Sequence, residues 1–498
     1  LEINICAPDQ SSEKYAYDLC KTYLSEAAGP VSVSVSYESG EKGDTCVCDV
    51  TAFQRTSRGT CSCGVRTHLS GHRAKNLALG RAFFESSRAF TDYTPPFGVL
   101  TGVKPAKMAL YYLDGGYPEE ETMRVLTEEY MVFPEKASLL ISAAKAEAAV
   151  RGGYKNRSCA LYVSVPFCPS RCSYCSFISS SAPSMLSMIP EYVEVLTAEI
   201  ASLGSAAKET GYVPKCVYIG GGTPGILDAR QISGVFEAVR KAFGERVFDE
   251  CTFELGRPDT VTDEKLSALR DAGCTRLCIN TQTTSDDILK RIGRSHTAAD
   301  YFKAFEDAVK AGFDNINTDI IAGLDGESTE SFMRTVNEVS SLSPAGITVH
   351  TLCLKRSSRE SMKLSSLSKK ELEALKNSPR SAVSDSGDTA AMISYASETL
   401  GSKGYLPYYV YRQKNAKGNL ENTGYALKGK ECAYNIVMME DVCTVLSAGA
   451  GAVTKVFGPD GKIKRIATFK YPSEYVSAKD KIAASHRTIA NILEGKAR

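Results

Sequence analysis

The sequence predicts an α/β chain with a partial (β/α)6 barrel at its centre, an N-terminal α/β domain before it and a C-terminal extension after it. Two patterns carry the barrel. Short apolar segments rich in β-branched residues alternate with stretches of helical spacing, as parallel strands joined by right-handed crossovers require. Polar residues and glycines gather at the ends of those apolar segments, which is the rim where barrel folds keep their chemistry. The composition agrees: 498 residues with 43% apolar and 23% charged content are enough for a large core and for two or three domains.

Taken in order, residues 1–95 form the N-terminal α/β domain, with a helix over 11–26, strands over 31–37 and 45–52, and a helix over 72–88. Residues 96–153 form a helical connector ending at Arg151-Gly-Gly153, a composition suited to a linker. The barrel occupies 154–360 and the C-terminal extension 361–498. Barrel strands are expected at 161–166, 216–219, 252–255, 276–280, 316–321 and 347–352. Helices are expected at 191–203, 229–243, 263–271, 298–310 and 329–342. Thr262 and Ser285 stand where N-caps belong, and Gly273 and Gly312 follow helices as C-terminal glycines do.

Gly220-Gly-Gly222, Glu254, Gln282, Asp319 and His350 each fall at or just after the end of a different expected strand. The first expected strand runs into Phe167-Cys-Pro-Ser-Arg-Cys-Ser-Tyr-Cys175. Its Cys168, Cys172 and Cys175 offer three thiolates from one turn, enough for three irons of a [4Fe-4S] cube and too few for the fourth. An electron-transfer cluster is closed by a fourth protein ligand, and structural zinc prefers paired knuckles, so the spacing points to a cube with an open iron. Gly220-Gly-Gly-Thr-Pro224 allows backbone to approach a ligand closely.

The formal charge of +1 gives no electrostatic footprint for nucleic acid. No apolar run is long enough to span a bilayer, and the first residues lack the order of a secretory signal. Seventeen cysteines at irregular spacing suit reduced thiols in a cytoplasmic setting. Cys46 and Cys48 share a strand face, as Cys61 and Cys63 do if their stretch is extended, so they are either a zinc site or buried and free thiols. His68 and His72 have helical spacing but no companion carboxylate.

The cysteine loop with Gly220-Gly-Gly-Thr-Pro224 resembles the radical S-adenosylmethionine superfamily. Tyr162-x-x-x-Pro-Phe-Cys168, Phe253-Glu254-x-Gly-Arg-Pro-Asp259, Asn280-x-Gln282, Gly293-Arg294 and Asp319-Ile-Ile-Ala-Gly-Leu324 are similar, more narrowly, to the oxygen-independent coproporphyrinogen III dehydrogenases. Thr348-Val-His-Thr351, Pro407-Tyr-Tyr-Val-Tyr-Arg-Gln-Lys-Asn415, Gly418-Asn-Leu-Glu-Asn-Thr-Gly-Tyr425 and Gly98-Val-Leu-Thr-Gly-Val-Lys-Pro105 carry the likeness to the HemZ-type branch, over residues 95–460.

The resemblance implies a [4Fe-4S] cluster on Cys168, Cys172 and Cys175, and reductive cleavage of S-adenosylmethionine at the open iron. The radical so formed takes hydrogen from two propionates of coproporphyrinogen III, which lose carbon dioxide and become vinyl groups. An electron donor such as flavodoxin or ferredoxin is implied, with a tetrapyrrole as substrate. Arg294 suits the methionine carboxylate and a backbone group at Gly221 or Gly222 its amino group, with Thr223 a further cofactor contact. Glu254, Gln282 and Asp319 suit the ribose and sulfonium, with a salt bridge inside the barrel as the alternative for Arg294 and Asp319. Tyr162 abuts the cofactor or belongs to the core, and Phe177 shields the cube. Lys355, Arg356, Arg412 and Lys414 are either forks for substrate carboxylates or solvated charges. His350 transfers a proton near the substrate or is a core histidine.

Two positions depart from the family pattern. Ser164 stands where many relatives have histidine, and Phe177 where many have a further cysteine. Neither removes a cluster ligand, but both bear on the substrate. A tetrapyrrole-modifying methyltransferase and a HemW-like haem chaperone are the rival readings.

Overall fold

The computed structural model describes residues 2–24, 29–40, 43–62, 69, 71–175, 183–244, 248–353, 386–413, 416–458 and 462–494. The chain divides into two compact units, one comprising residues 1–145 and 410–414, the other 146–409 and 415–498.

In the first unit, β1 (Ile3–Cys6), β2 (Val31–Gly40), β3 (Gly43–Ala52) and β4 (Arg55–Ser62) form a sheet in that order. β1 runs parallel to β2, and β2, β3 and β4 are antiparallel neighbours. Helices Gln10–Tyr23 and Gly71–Ser87 accompany the sheet as the sequence predicts. β1 was not foreseen, because four residues of alternating exposure give too short a pattern. β4 was expected only conditionally, since its Arg, Ser and Thr content lacks an apolar signature.

Cys46 lies opposite Cys61 in the β3–β4 register, whereas Cys48 lies opposite Gly59. Cys46 and Cys48 are fully buried, and burial pushes the Cys48 thiol up to about 12. Among the described residues no three His, Cys, Asp or Glu side chains are placed to enclose a metal ion. Cys63 and His68 lie outside the described residues.

An eleven-stranded sheet runs in the order β11-β12-β10-β9-β8-β7-β6-β5-β13-β14-β15 and belongs to the second unit, apart from residues 410–412 at the end of β11, which are counted with the first. Its strands are β5 (Ser158–Val165), β6 (Val213–Gly221), β7 (Glu250–Glu254), β8 (Arg276–Cys278), β9 (Ile316–Ala322) and β10 (Gly346–Thr351), followed by β11 (Leu406–Arg412), β12 (Glu421–Ala426), β13 (Thr444–Ala448), β14 (Val453–Phe457) and β15 (Ile463–Ala467). From β5 to β10 every neighbouring pair is parallel, in the predicted order. The intervening helices Ile189–Thr210, Ala229–Phe243, Asp263–Asp271, Ala298–Lys310 and Thr329–Ser341 match the five expected ones.

Sheet pleat separates two environments. Leu161, Val163, Val217, Ile219, Phe253 and Leu277 join the apolar core shared with the surrounding helices. The alternate positions Ala160, Cys216 and Tyr218 belong to a separate inner cluster with Tyr408, Tyr409, Cys432 and Tyr434. Caps set the helix starts: Thr262 accepts the Lys265 amide, while Asp228 and Thr297 complete reciprocal capping boxes. Ser285 stands at a helix start without a side-chain cap bond.

A seventh parallel strand was not anticipated. β13 pairs with β5 from Thr444↔Cys159 to Ala448↔Val163. The loop after it is locked by Glu199, a buried carboxylate of Ile189–Thr210. Glu199 accepts the Gly449 amide at 2.6 Å and the Tyr475 hydroxyl at 2.5 Å. His486 lies 3.5 Å from the same carboxylate. Tyr192 donates to the Ser164 carbonyl at 2.8 Å and accepts the Ala450 amide at 2.9 Å. Among the described residues no helix is long and apolar enough to cross a membrane.

Glu199→Ala strands a buried amide and a buried hydroxyl. It is expected to cost about 3 kcal/mol in chemical unfolding of the full chain, with Glu199→Gln, which still accepts, retaining most of the stability.

Candidate functional site

The loop leaving β5 is fastened on three sides. Gly222 donates its amide to the Val165 carbonyl at 2.9 Å, and Thr223 to Phe167 at 2.7 Å. The Thr223 hydroxyl reaches Cys168 Sγ at 3.4 Å. On the opposite side, Ser170 Oγ donates to the Gly293 carbonyl at 2.9 Å and the Ser173 amide to Ile292 at 3.0 Å. Behind the loop, the buried Arg257 guanidinium donates to Ser170 Oγ at 2.7 Å, Ser295 Oγ at 2.8 Å and both Asp259 oxygens at 3.0 and 3.1 Å. A buried cation is tolerable only when paired and hydrogen-bonded, and here its bonds join the loops after β5, β7 and β8.

Cys168 is buried, while Cys172 and Cys175 are half-buried. Among the described residues no three potential ligands converge on one ion, as mononuclear zinc would require. A cube spreads its thiolates over separate irons, so its donors stand apart. The surroundings fit such a group. A Cβ on Gly222 would lie 2.5 Å from the Phe167 carbonyl oxygen and 3.0 Å from Cys168 Sγ. Gly221 has φ +120°, and a Cβ there would meet the Val165 amide at 3.0 Å.

Arg294 lies beside the loop, near enough to the Cys172 and Tyr174 side chains to interact with both, and is hydrogen-bonded through Nη1 to the Asn280 carbonyl at 2.5 Å. Its Nε and Gln282 Oε1 are buried with no hydrogen-bond partner. Such groups cost free energy unless a ligand completes them. Their chemistry matches the carboxylate and hydroxyls of S-adenosylmethionine, whose amino and carboxylate ends would take the open iron corner.

Gln282 is left-handed, with φ +75°. Its amide donates to the Asp319 carbonyl and its carbonyl accepts the Ile321 amide, both at 3.0 Å. Glu254 accepts the Tyr218 hydroxyl at 2.5 Å. Burial pushes the Glu254 carboxyl up to about 7, with Asp319 adding to the rise, against the lowering effect of Tyr218 and the Gly221 amide. Burial also works against ionisation of Asp319, but the neighbouring His350 and Thr348 and the hydrogen bond from Asn317 outweigh it and hold that carboxyl below its ordinary value. His350 Nε2 stands 3.8 Å from Asp319 Oδ2, and His350 Nδ1 stands 3.3 Å from Asn422 Oδ1. Burial opposes the imidazolium, yet Asp319 and Asn422 raise the His350 pKa.

Tyr162 stacks on Tyr434 at 5.9 Å and on Tyr218 at 6.3 Å, and Tyr218 stacks on Tyr434 at 4.5 Å, giving an aromatic inner wall. Arg412 is placed differently. Within the first unit its guanidinium lies 4.6 Å from the Phe97 ring centroid and hydrogen-bonds the Leu100 carbonyl. Phe177, Lys355, Arg356 and Lys414 lie outside the described residues. Ser164 donates its hydroxyl to the Ala450 carbonyl at 2.9 Å, which uses the position for packing.

Sequence reasoning passed over Arg257, Asp259, Ser170 and Ser295, although Arg257 and Asp259 stand inside a quoted motif. Their signal was a charged pair two residues apart at a strand end. Asn422 and Tyr434 come from distant segments and carry no local pattern.

Gly222→Ala is expected to lower iron retained after anaerobic reconstitution by more than half while far-ultraviolet circular dichroism stays unchanged. The raised Glu254 pKa means that the folded chain holds this proton more tightly than the unfolded chain. Its stabilising contribution is therefore complete below about 4.5 and lost as pH rises through about 7. Glu254→Gln is expected to flatten that part of the pH–stability profile, measured by thermal unfolding.

Comparison with known proteins meets this geometry. Residues 162–339 match the model of the radical SAM superfamily. The chain is 34% identical over 392 residues to the oxygen-independent coproporphyrinogen-III oxidase-like protein HemZ of Bacillus subtilis, covering 78% of this chain and 75% of that protein. It is 32% identical over 195 residues to the haem chaperone HemW of the same organism, of which it spans 50%. The fold matches the Escherichia coli coproporphyrinogen III oxidase HemN, a radical SAM enzyme, with TM-score 0.51 at 19% identity over 70% of this chain and 78% of that one. The chain therefore belongs to the radical SAM superfamily, among the HemZ-like proteins, with a [4Fe-4S] cluster and S-adenosylmethionine as its cofactors.

Proposed function

We propose that this chain oxidatively decarboxylates two propionate side chains of coproporphyrinogen III to vinyl groups, giving protoporphyrinogen IX. The carrying observation is the extent of the HemZ-like match, which covers 78% of the chain and so runs well beyond the barrel segment 162–339. The cofactors, when bound, would supply hydrogen-atom abstraction from a propionate methylene; loss of carbon dioxide to leave a vinyl group would then release one electron, which an external acceptor must take.

The remaining roles belong to the chain. Cys168, Cys172 and Cys175 hold the cluster, with Arg257 steadying their loop through Ser170. Arg294 takes the methionine carboxylate, Gly221, Gly222 and Thr223 crowd the amino end, and Glu254 and Gln282 accept or donate to the ribose. Tyr162, Tyr218 and Tyr434, stacked on one another, give the inner side of the site a rigid aromatic backing. His350 stands between Asp319, 3.8 Å from its Nε2, and Asn422, 3.3 Å from its Nδ1, as an ionisable group near the substrate. A flavodoxin or ferredoxin in the cytoplasm is the proposed electron source.

Mass spectrometry of coproporphyrinogen III incubated anaerobically with reconstituted protein, S-adenosylmethionine and a strong reductant tests this reading. Two successive losses equivalent in mass to formic acid are expected. A gain of methyl mass would replace it with methyl transfer, and tight haem binding without turnover would replace it with haem carriage.

A further inference from the structure

Gln282 occupies a backbone conformation that side chains other than glycine rarely adopt. Such a residue persists only where its surroundings over-determine it. The two main-chain bonds to β9 supply part of that constraint. The rest comes from a buried cluster directly after Gln282, built around Glu327.

Glu327 is 4% exposed and lies in the turn after β9, its own amide donating to the Leu324 carbonyl at 3.1 Å. Its Oε1 accepts the Thr283 hydroxyl at 2.5 Å and the Ser331 hydroxyl at 3.3 Å, while Oε2 is buried with no partner. Thr335, on the helix that follows, accepts the Thr284 amide at 3.0 Å and lies 3.2 Å from the Thr283 hydroxyl. Thr283 also accepts the Ser285 amide at its hydroxyl, at 3.1 Å, and the Thr281 hydroxyl at its carbonyl, at 2.5 Å. Every residue from 281 to 285 is thereby fixed, and the one acceptor reaching this segment from the β9 turn is the Glu327 side chain. Burial pushes this carboxyl up to about 7, against the lowering effect of Thr283, Ser331 and Arg334.

We propose that Glu327 is a positioning residue that acts through Thr283 to hold Gln282 in its left-handed conformation and so present the Gln282 amide to S-adenosylmethionine. The inference rests on the reading of Gln282 as a cofactor contact. It needs Oε1 as an acceptor and needs no charge, so a neutral isostere should serve.

The test compares Glu327→Ala, Glu327→Gln, Thr283→Val and Thr283→Ser in the full chain. Two readouts are used: hydrogen–deuterium exchange of the peptide spanning 280–285, and calorimetric binding of S-adenosylmethionine to the reconstituted protein. Glu327→Ala and Thr283→Val are expected to speed exchange and weaken binding about tenfold. They should raise KM for S-adenosylmethionine while kcat at saturation stays within about twofold. Glu327→Gln and Thr283→Ser should restore both readouts. Unchanged exchange in Glu327→Ala and Thr283→Val overturns the positioning role. Faster exchange with unaltered affinity overturns the proposal at its other end, by removing Gln282 from the cofactor contacts. Failure of Glu327→Gln to restore also overturns it, since charge would then be what matters. Thr283→Val leaves the carboxyl in place and keeps the test decisive if Glu327→Ala does not fold.

Discussion

The site depends on one buried cation. Arg257 lies in the loop after β7, and its guanidinium reaches Ser170 in the cysteine loop and Ser295 in the segment carrying Arg294, with Asp259 neutralising it from two residues away. A short cysteine turn has no regular structure of its own, so its shape must be imposed from outside. Three separate barrel loops meet on this side chain, and the backbone bonds from Gly222 and Thr223 hold the other edge. Cluster geometry is thus a property of the whole rim and not of the C-x-x-x-C-x-x-C spacing alone.

Pleat alternation does the second half of the work. One set of strand positions feeds the apolar layer under the helices, and the other set turns Tyr162, Tyr218, Glu254, Asp319 and His350 inward. That arrangement partly withdraws the ionisable groups from water and lets each be tuned by its neighbours. Glu254 is pushed up while Asp319 is held down, so two carboxyl groups in one chamber carry opposite protonation tendencies.

The barrel was legible because its strands and helices are written in local periodicity. The helix boundaries 229–243, 263–271 and 298–310 match those observed, since capping residues stand at each start. Cys168, Cys172, Cys175, Gly222 and Arg294 meet around one loop as their motifs implied. What escaped is non-local. Arg257 is fixed by partners on other loops, and Arg412, read as either a carboxylate fork or a solvated charge, lies against the Leu100 carbonyl and the Phe97 ring. β13 escaped because its pairing with β5 leaves no periodic trace, although Ser447-Ala-Gly-Ala-Gly-Ala452 repeats the small-residue signal of a rim turn.

The β5–β13 pairing orders events in time. Ser164 and Ala450 are 286 residues apart, yet they are hydrogen-bonded beside the strand that launches the cysteine loop. A ribosome delivers the first of these long before the second, and contacts of such sequence separation form late. The strand that presents the thiols therefore lacks its outer neighbour until the carboxy-terminal part of the chain has emerged. Until then the loop that is to receive iron and sulfide is an unfinished cradle, held by Gly222 and Thr223 on one edge but with its strand unpaired on the other.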